Sequence, residues 1–359
     1  MARIRTIAGR LAAGALALTA GAAVHAPVVW DSDLAPPPDI TVAPRTQRHI
    51  LDEGLQTLGG AFGGAVGIAV YNVDEGWAAD FNGAQVQPQQ SVSKLWVALA
   101  VLDAVDRGVL SLSTPVTIRK DDLSIFHQPL RERVGEGSYT TTVAALLKGA
   151  IVQSDNAAND ALVRTVGGPF AVQMAVVGKN LGEIRFGPGE REMQTRAAGL
   201  TWKPEYSFKR AFWEDREALP PEQRQKALDA YLADPPDGAS ALDIAETLGR
   251  LKQGELLSPE STDYLLTLMG QTVTGSSRLR AGVAPGWTLR HKTGTGQVNG
   301  RLATGYNDVG LLTAPDGTVY AVAVLIGSTR RSFNERSALI AEVARLVIAS
   351  HPTRAEPAQ

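Results

Sequence analysis

Ser91-Val92-Ser93-Lys94-Leu95-Trp96-Val97-Ala98-Leu99-Ala100-Val101-Leu102 joins a hydroxyl and an amine to an unbroken apolar run. The run from Leu95 is apolar enough to be a buried helix. If that helix begins near Ser91, then Ser91 and Lys94 stand one above the other on its first turn, because residues three apart share a face. A serine hydroxyl is a weak nucleophile near neutral pH and needs a base beside it. A lysine buried in an apolar setting loses its proton more readily, and a neutral lysine can accept the serine proton. The helix N-terminus aims backbone N–H groups and positive dipole at the place where an oxyanion would form. Alone, the same residues could be a helix cap followed by a solvated lysine.

Two more motifs follow in order: Ser154-Asp155-Asn156 and Lys292-Thr293-Gly294. A Ser-x-x-Lys is expected on the order of once by accident in a chain of this length, and the other two motifs far less often. The ordered trio with wide gaps is not a chance pattern. Ser, Asp and Asn all favour helix caps, so Ser154-Asp155-Asn156 suits the start of a helix from Ala157 to Thr165. It also offers a second hydroxyl and an amide. Gly286 to His291 reads as a strand leading into Lys292-Thr293-Gly294-Thr295. A lysine and hydroxyls on a strand edge can hold a carboxylate, and Gly294 would let a substrate lie close to the backbone.

At these residues the chain resembles the penicillin-recognising serine enzymes, the class A β-lactamases and penicillin-binding proteins, whose motif set this is. The resemblance implies that Ser91 is the nucleophile and Lys94 its base. It implies that Ser154 relays a proton to the leaving nitrogen and that Asn156 binds the side-chain amide of the substrate. Asp155 would be structural. Lys292 and Thr293 would bind the carboxylate, and the N–H of Thr295 would be the second oxyanion donor.

Rapid release of the acyl-enzyme in class A enzymes needs a carboxylate that orients a water. Glu190-Arg191-Glu192-Met193-Gln194 lies 36 residues after Ser154 and resembles the omega-loop pattern Glu-x-x-Met of a divergent class A subgroup. Glu190 is then the deacylating base and Gln194 a partner for its water, with Glu192 as the rival displaced by two. A solvated charged loop is the plainer reading, since Gly187-Pro188-Gly189 is turn chemistry. Two departures stand out. Pro188 occupies the position of an arginine that often pins the loop by a salt bridge, and Gln194 replaces an asparagine. A DD-peptidase or esterase with an inert Glu190, or a β-lactam sensor, are the alternatives within the superfamily.

The rest of the chain frames this site. The expected order is a helix (46–58), a hairpin of two strands (64–72 and 76–81), a mostly helical middle from Ser91 to about Met269, a second hairpin and a closing helix from Asn334 to Ala349. A sheet built from both chain ends with an inserted helical lobe (about 84–270) is an α/β (α+β) two-lobe fold, and the resemblance implies the serine β-lactamase/DD-peptidase architecture over 45–352. The segment 195–238 exceeds a compact enzyme of this type and carries Trp202, Tyr206, Phe208, Phe212 and Trp213. It reads either as a wall of the active-site mouth or as a packed decoration. Gln297 to Tyr306 is read as a long connection, and His127 as a rim residue.

Arg3, Arg5 and Arg10 followed by the apolar stretch Leu11 to Val24 and Val24-His25-Ala26 read as an export signal over 1–26. Residues 27–44, with Pro36-Pro37-Pro38, read as an extended linker. Together they predict a periplasmic protein without stable membrane insertion after processing, with an uncleaved anchor as the alternative. The chain has no cysteine, and its five histidines show no metal-ligand spacing, so neither disulfide, metal site nor cofactor is expected. A net charge of −2 without a basic run gives no sign of nucleic-acid binding. The expected partner is a small β-lactam, and the expected state a monomer.

Overall fold

Val319–Thr329 (β10) is apolar along almost its whole length and buried on both faces, as a central strand must be. Its alternate residues serve different cores. Val322, Val324 and Ile326 face one apolar layer; Ala321, Ala323 and Leu325 face the other. The computed structural model describes residues 46–208 and 210–352. The export signal and linker read from the sequence lie outside the described residues.

Around this strand the sheet is antiparallel in the order β2-β1-β10-β9-β7. The strands are Ala65–Asn72 (β1) and Trp77–Phe81 (β2) from the chain start, and Thr288–Thr295 (β7) and Leu302–Thr313 (β9) from its end. Helices Gln47–Phe62 (α1) and Phe333–Ser350 (α13) cover one face through Leu51, Leu55, Leu339, Ile340 and Val343. Each such fully buried aliphatic contributes roughly 1.5–3 kcal/mol relative to exposure. Ser332 and Glu335 close α13 with a capping box. One expectation shifts in detail. Part of the connection expected over 297–306 is strand, because Leu302 to Tyr306 extends the ladder on β10 and Val298–Asn299 (β8) folds back to pair with it.

The inserted lobe centres on Lys94–Asp106 (α2), whose residues from Lys94 to Leu102 are all buried. A helix that is apolar all round belongs in a core, and α2 is packed among Val143–Val152 (α4), Asn156–Thr165 (α5), Pro169–Gly178 (α6) and Pro259–Gly270 (α11), while Ala241–Lys252 (α10) packs on β1, β10 and α11. The short helix Arg131–Val134 (α3) precedes α4. The lobe is not wholly helical: Val86–Pro88 (β3) pairs with Gly238–Ser240 (β6), and Pro115–Arg119 (β4) with Ser138–Thr142 (β5). Within 195–238, Glu190–Ala197 (α7) leads to Arg210–Ala218 (α8) and Pro221–Ala233 (α9). The last helix before β7 is Leu279–Gly282 (α12). Among the described residues no single helix is long and apolar enough to cross a membrane.

Where the lobe meets the sheet, backbone touches backbone. A Cβ built on Gly294 would lie 2.3 Å from the carbonyl oxygen of Gln89. That carbonyl accepts a hydrogen bond from Asn307 Nδ2 (2.9 Å), so it is not free to withdraw. Gly294→Ala should therefore push the Gln89–Ser91 turn away from β7, at a cost of about 1–3 kcal/mol typical of overpacking. A drop in thermal midpoint together with slower substrate turnover is the expected result; an unchanged midpoint would show that the two segments separate freely.

Candidate active site

Gln90–Ser93 forms a single 3-10 turn that runs into α2. The turn brings Lys94 Nζ to 2.7 Å from Ser91 Oγ. Lys94 is fully buried, and its Nζ also donates to Asn156 Oδ1 (2.9 Å) and to the carboxylate of Glu190. An ammonium has three protons, and each has an acceptor here. The sequence suggested a lysine in a purely apolar setting; instead Glu190 pairs with it. The carboxylate arrives because Gly189, at φ 98°, caps α7 and turns Glu190 inward. Glu192 is exposed and pairs with Arg196 at 3.5 Å on the outer face of α7.

Ser154 Oγ accepts from Lys292 Nζ at 2.8 Å. Lys292 also donates to the carbonyl of Thr293 (2.9 Å) and is fully buried. Burial, and then the charge of Lys94, hold its amine well below the usual lysine range. Asp155 caps α5, accepting from Ala158 N at 2.9 Å and from Leu130 N at 2.6 Å. Asn156 donates from Nδ2 to the carbonyl of Ile125 (2.8 Å), which leaves one amide proton for another acceptor.

Lys292 faces Ser154 rather than an open carboxylate site. The cation at that rim is Arg278, which the sequence reading did not single out. Its guanidinium donates to Thr295 Oγ1 (2.5 Å) and to the carbonyls of Gly294 (2.8 Å) and Asn307 (2.6 Å). It lies 3.8 Å over the ring of Tyr306. Behind it, buried Asp308 accepts from His291 Nδ1 (2.8 Å) and from Leu279 N (3.1 Å), which seats α12 and so Arg278. No local motif announces Arg278, since every partner is distant in sequence. Thr293 completes the rim, sharing a 2.7 Å hydrogen bond with Thr274.

The segment that enters α7, expected from the sequence to be the omega loop, is pinned by hydrogen bonds. Glu190 N donates to Asp160 Oδ1 (3.0 Å), and Ser124 Oγ donates to Asp160 Oδ2 (2.6 Å). Burial and the neighbouring Glu190 push the Asp160 carboxyl up. At the far end of the loop, Asp237 accepts from the backbone N–H of Gln90 at 2.7 Å. Gln194 Nε2 stands 3.5 Å from Glu190 Oε2, and Gln297 Nε2 donates to Gln194 Oε1 at 3.0 Å.

A cleft of about 220 Å³ is lined by Ser91, Ser154, Asn156, Glu190, Thr293 and Arg278. Through Phe126, His127, Gln194 and Thr295 it is continuous with a largely apolar annex of about 480 Å³, whose outer lining includes Trp213 and Val298. Trp213 of α8 stacks on Phe126, ring centroids 5.7 Å apart at 22°. A small core of Ile125, Ala198, Tyr206 and Phe212 supports it. His127 lines the rim as expected, but Phe126 beside it supplies the aromatic ring. Among the described residues, five non-glycine residues have positive φ; Phe126 (62°) and Ser154 (60°) line this cleft, and Gln90 (54°) immediately precedes Ser91, which does. Left-handed backbone at such residues costs on the order of 1–3 kcal/mol each and concentrates at functional sites. Also among the described residues, no group of His, Cys, Asp or Glu is arranged to hold a metal ion.

The cleft that holds these residues lies in a two-lobe α/β fold of antiparallel sheet and many helices. The family model described as the beta-lactamase enzyme family matches residues 50–350, so the chain belongs to the beta-lactamase enzyme family and, within it, to the class A serine β-lactamases. Beta-lactamase VEB-1 of Pseudomonas aeruginosa is 27% identical over 282 residues, 78% of this chain and 83% of that protein. The extended-spectrum beta-lactamase PER-1 of the same organism is also 27% identical, covering 83% and 86%. A crystal structure of a beta-lactamase from Chitinophaga pinensis superposes with a TM-score of 0.69 at 27% identity, covering 84% of this chain and 99% of that one.

The buried anchor of the loop should be visible in the pH dependence of stability. Burial raises the Asp237 carboxyl to about 6. The folded state therefore holds an extra proton between about pH 4 and 6 relative to an unfolded aspartate. This group's contribution makes stability fall as pH rises through that window and is constant above it. Asp237→Asn cannot titrate. Urea midpoints measured at pH 4.5 and 7 should show the variant gaining on the native protein as pH rises; a constant offset between the two would contradict a raised Asp237.

Proposed function

We propose that this protein hydrolyses the β-lactam amide through an acyl-enzyme on Ser91, deacylated by a water that Glu190 activates. The observation that carries the reading is Lys94, whose amine reaches Ser91 Oγ at 2.7 Å and the Glu190 carboxylate at once. When a proton passes along the latter bond, Glu190 is neutral and Lys94 turns a lone pair to Ser91. Ser91 Oγ then attacks the lactam carbonyl, and its proton moves to Lys94. The N–H groups of Ser91 and Thr295 receive the oxyanion.

Collapse breaks the C–N bond. Ser154 gives its proton to the leaving nitrogen and is reprotonated by Lys292, 2.8 Å away, whose depressed pKa suits a donor. Arg278, Thr293 and Thr295 hold the substrate carboxylate, and the remaining amide proton of Asn156 meets the acyl side chain. Glu190 then gives up to water in the cleft the proton it took from Lys94, and the same water pool restores the proton Lys292 lost. Glu190, once more a carboxylate, takes a proton from the attacking water as its oxygen bonds to the ester carbon. The C–Oγ bond breaks, and Ser91 recovers its proton through Lys94. The annex receives the acyl side chain against Phe126 and Trp213. A peptidase or sensor would have no use for a carboxylate bonded to Lys94. On the same footing we read 1–26 as an export signal, 27–44 as a linker and 45–352 as one catalytic domain, acting as a monomer in the periplasm.

Glu190→Gln keeps the volume and removes the base. Stopped-flow with a chromogenic cephalosporin should give a burst followed by turnover reduced roughly 10²-fold or more, with the adduct on the Ser91 peptide by mass spectrometry. Glu192→Gln should change little. Normal turnover by the Glu190 variant, or an adduct elsewhere, would overturn the mechanism. Trp213→Ala should lower kcat/KM for β-lactams with large aromatic acyl groups by about tenfold, the scale of a lost aromatic contact, and leave small-side-chain substrates near native. An equal effect on both would remove the annex from substrate choice.

A further inference from the structure

The segment 195–238 reaches the reaction centre from below as well as from the rim. Tyr231 of α9 is buried between α7 and the Gln90 turn, beside Met193, Ala197 and Leu228. Its hydroxyl donates to Asp237 Oδ1 at 2.9 Å and accepts from Nε2 of Gln90, the residue before Ser91. Gln90 Oε1 in turn accepts from Gln194 Nε2 at 2.7 Å. The same Gln194 nitrogen faces Glu190 Oε2 at 3.5 Å. Gly305 leaves room for this path, because a Cβ there would lie 2.5 Å from Gln90 Cγ.

Each bond in the chain has a fixed sense. A carboxylate only accepts, so the Tyr231 proton points to Asp237 and its oxygen is left to accept from an amide nitrogen. That turns the Gln90 carbonyl towards Gln194 and the Gln194 amide nitrogen towards Glu190. Asp237, at about 6, is ionised near neutral pH and holds the sense of the Tyr231–Gln90 end, while Gln297 Nε2, donating to Gln194 Oε1 at 3.0 Å, supports the same sense at the other end. Without the tyrosine hydroxyl, Gln90 can turn over and meet Gln194 nitrogen to nitrogen. Gln194 would then be held only from the Gln297 side, and its amide nitrogen would no longer be fixed towards the Glu190 carboxylate.

We propose that Tyr231 is a positioning residue for deacylation: through Gln90 it sets the amide direction that Gln194 presents to Glu190 and to the water Glu190 activates. The inference rests on the assignment of Glu190 as the hydrolytic base. It gives the inserted helix a role in the hydrolytic step that is separate from the role of Trp213 at the rim.

Pre-steady-state kinetics with a chromogenic cephalosporin tests it on the full-length protein. Tyr231→Phe keeps the ring and removes the hydroxyl. Acylation should stay within about twofold of native while deacylation falls about tenfold, the scale of one lost buried hydrogen bond. Leu228→Ala, which loosens the same packing without touching the chain, should lower the thermal midpoint and leave the ratio of the two rates as in the native enzyme. Gln90→Met breaks the chain one bond further on. The double variant Tyr231→Phe/Gln90→Met should be no slower in deacylation than Gln90→Met alone, because both changes cut one path.

Parallel loss of both rates in Tyr231→Phe, the same selective loss in Leu228→Ala, or additive effects in the double variant would overturn the proposal. If Tyr231→Phe does not accumulate, native deacylation in Gln90→Met would overturn it. A native protein with no burst and no turnover would instead overturn the hydrolase reading itself. A native burst with an indifferent Tyr231→Phe would overturn only this inference.

Discussion

A buried lysine with three acceptors is the constraint around which this molecule is arranged. Lys94 has no solvent contact, and an unpaired ammonium there would cost several kcal/mol. Ser91, Asn156 and Glu190 make it tolerable, and each comes from a different part of the chain. The 3-10 turn before α2, the Asp155 cap of α5 and the Gly189 entry to α7 are therefore parts of one solution. Removing any acceptor leaves one ammonium proton without a partner, so local geometry at all three segments is coupled. This coupling also explains why positive φ angles are tolerated at Gln90 and Ser154: neighbouring hydrogen bonds over-determine those residues.

The second lysine works by opposition. Lys292 is equally buried, but its close partners are a hydroxyl and a carbonyl rather than a carboxylate. Two cations in one dry cleft repel, and the one without the carboxylate yields its proton first. A pair of identical side chains is thus divided by environment into an amine that is paired with Glu190 and an amine inclined to release a proton towards Ser154.

Much of this was legible in the sequence because the signals are local or strongly periodic. The apolar run after Lys94 read as the buried helix, the short apolar runs of β1 and β10 beside turn residues read as strands, and Ser-Asp-Asn is good capping chemistry whatever else it does. The site residues Ser91, Lys94, Ser154, Asn156 and Glu190 do meet. What escaped was long-range. Arg278 bonds to Gly294, Thr295 and Asn307 and stacks on Tyr306, none of which is near it in sequence. The anchoring of the expected omega loop by Asp160, Asp237 and Tyr231 was invisible for the same reason: their partners lie far away in sequence. The extension of β9 back to Leu302 was hidden by small and polar residues, which read as loop until a neighbouring ladder fixes them.

The anchoring of the omega loop at both ends has a consequence for chain length. Glu190 and Asp237 are 47 positions apart in sequence, yet both are fixed to the same small region, one on Asp160 and the other on the backbone of Gln90. Closing a loop between fixed ends costs entropy that grows only with the logarithm of its length, about 0.6 kcal/mol for each doubling. The stretch between α8 and α9, where Pro220 is exposed, can thus lengthen or shorten with little thermodynamic penalty, while the anchors cannot move at all. Loops of this design are where a lineage can try out new surface next to old chemistry: size drifts freely at the tip, and selection acts on the two ends.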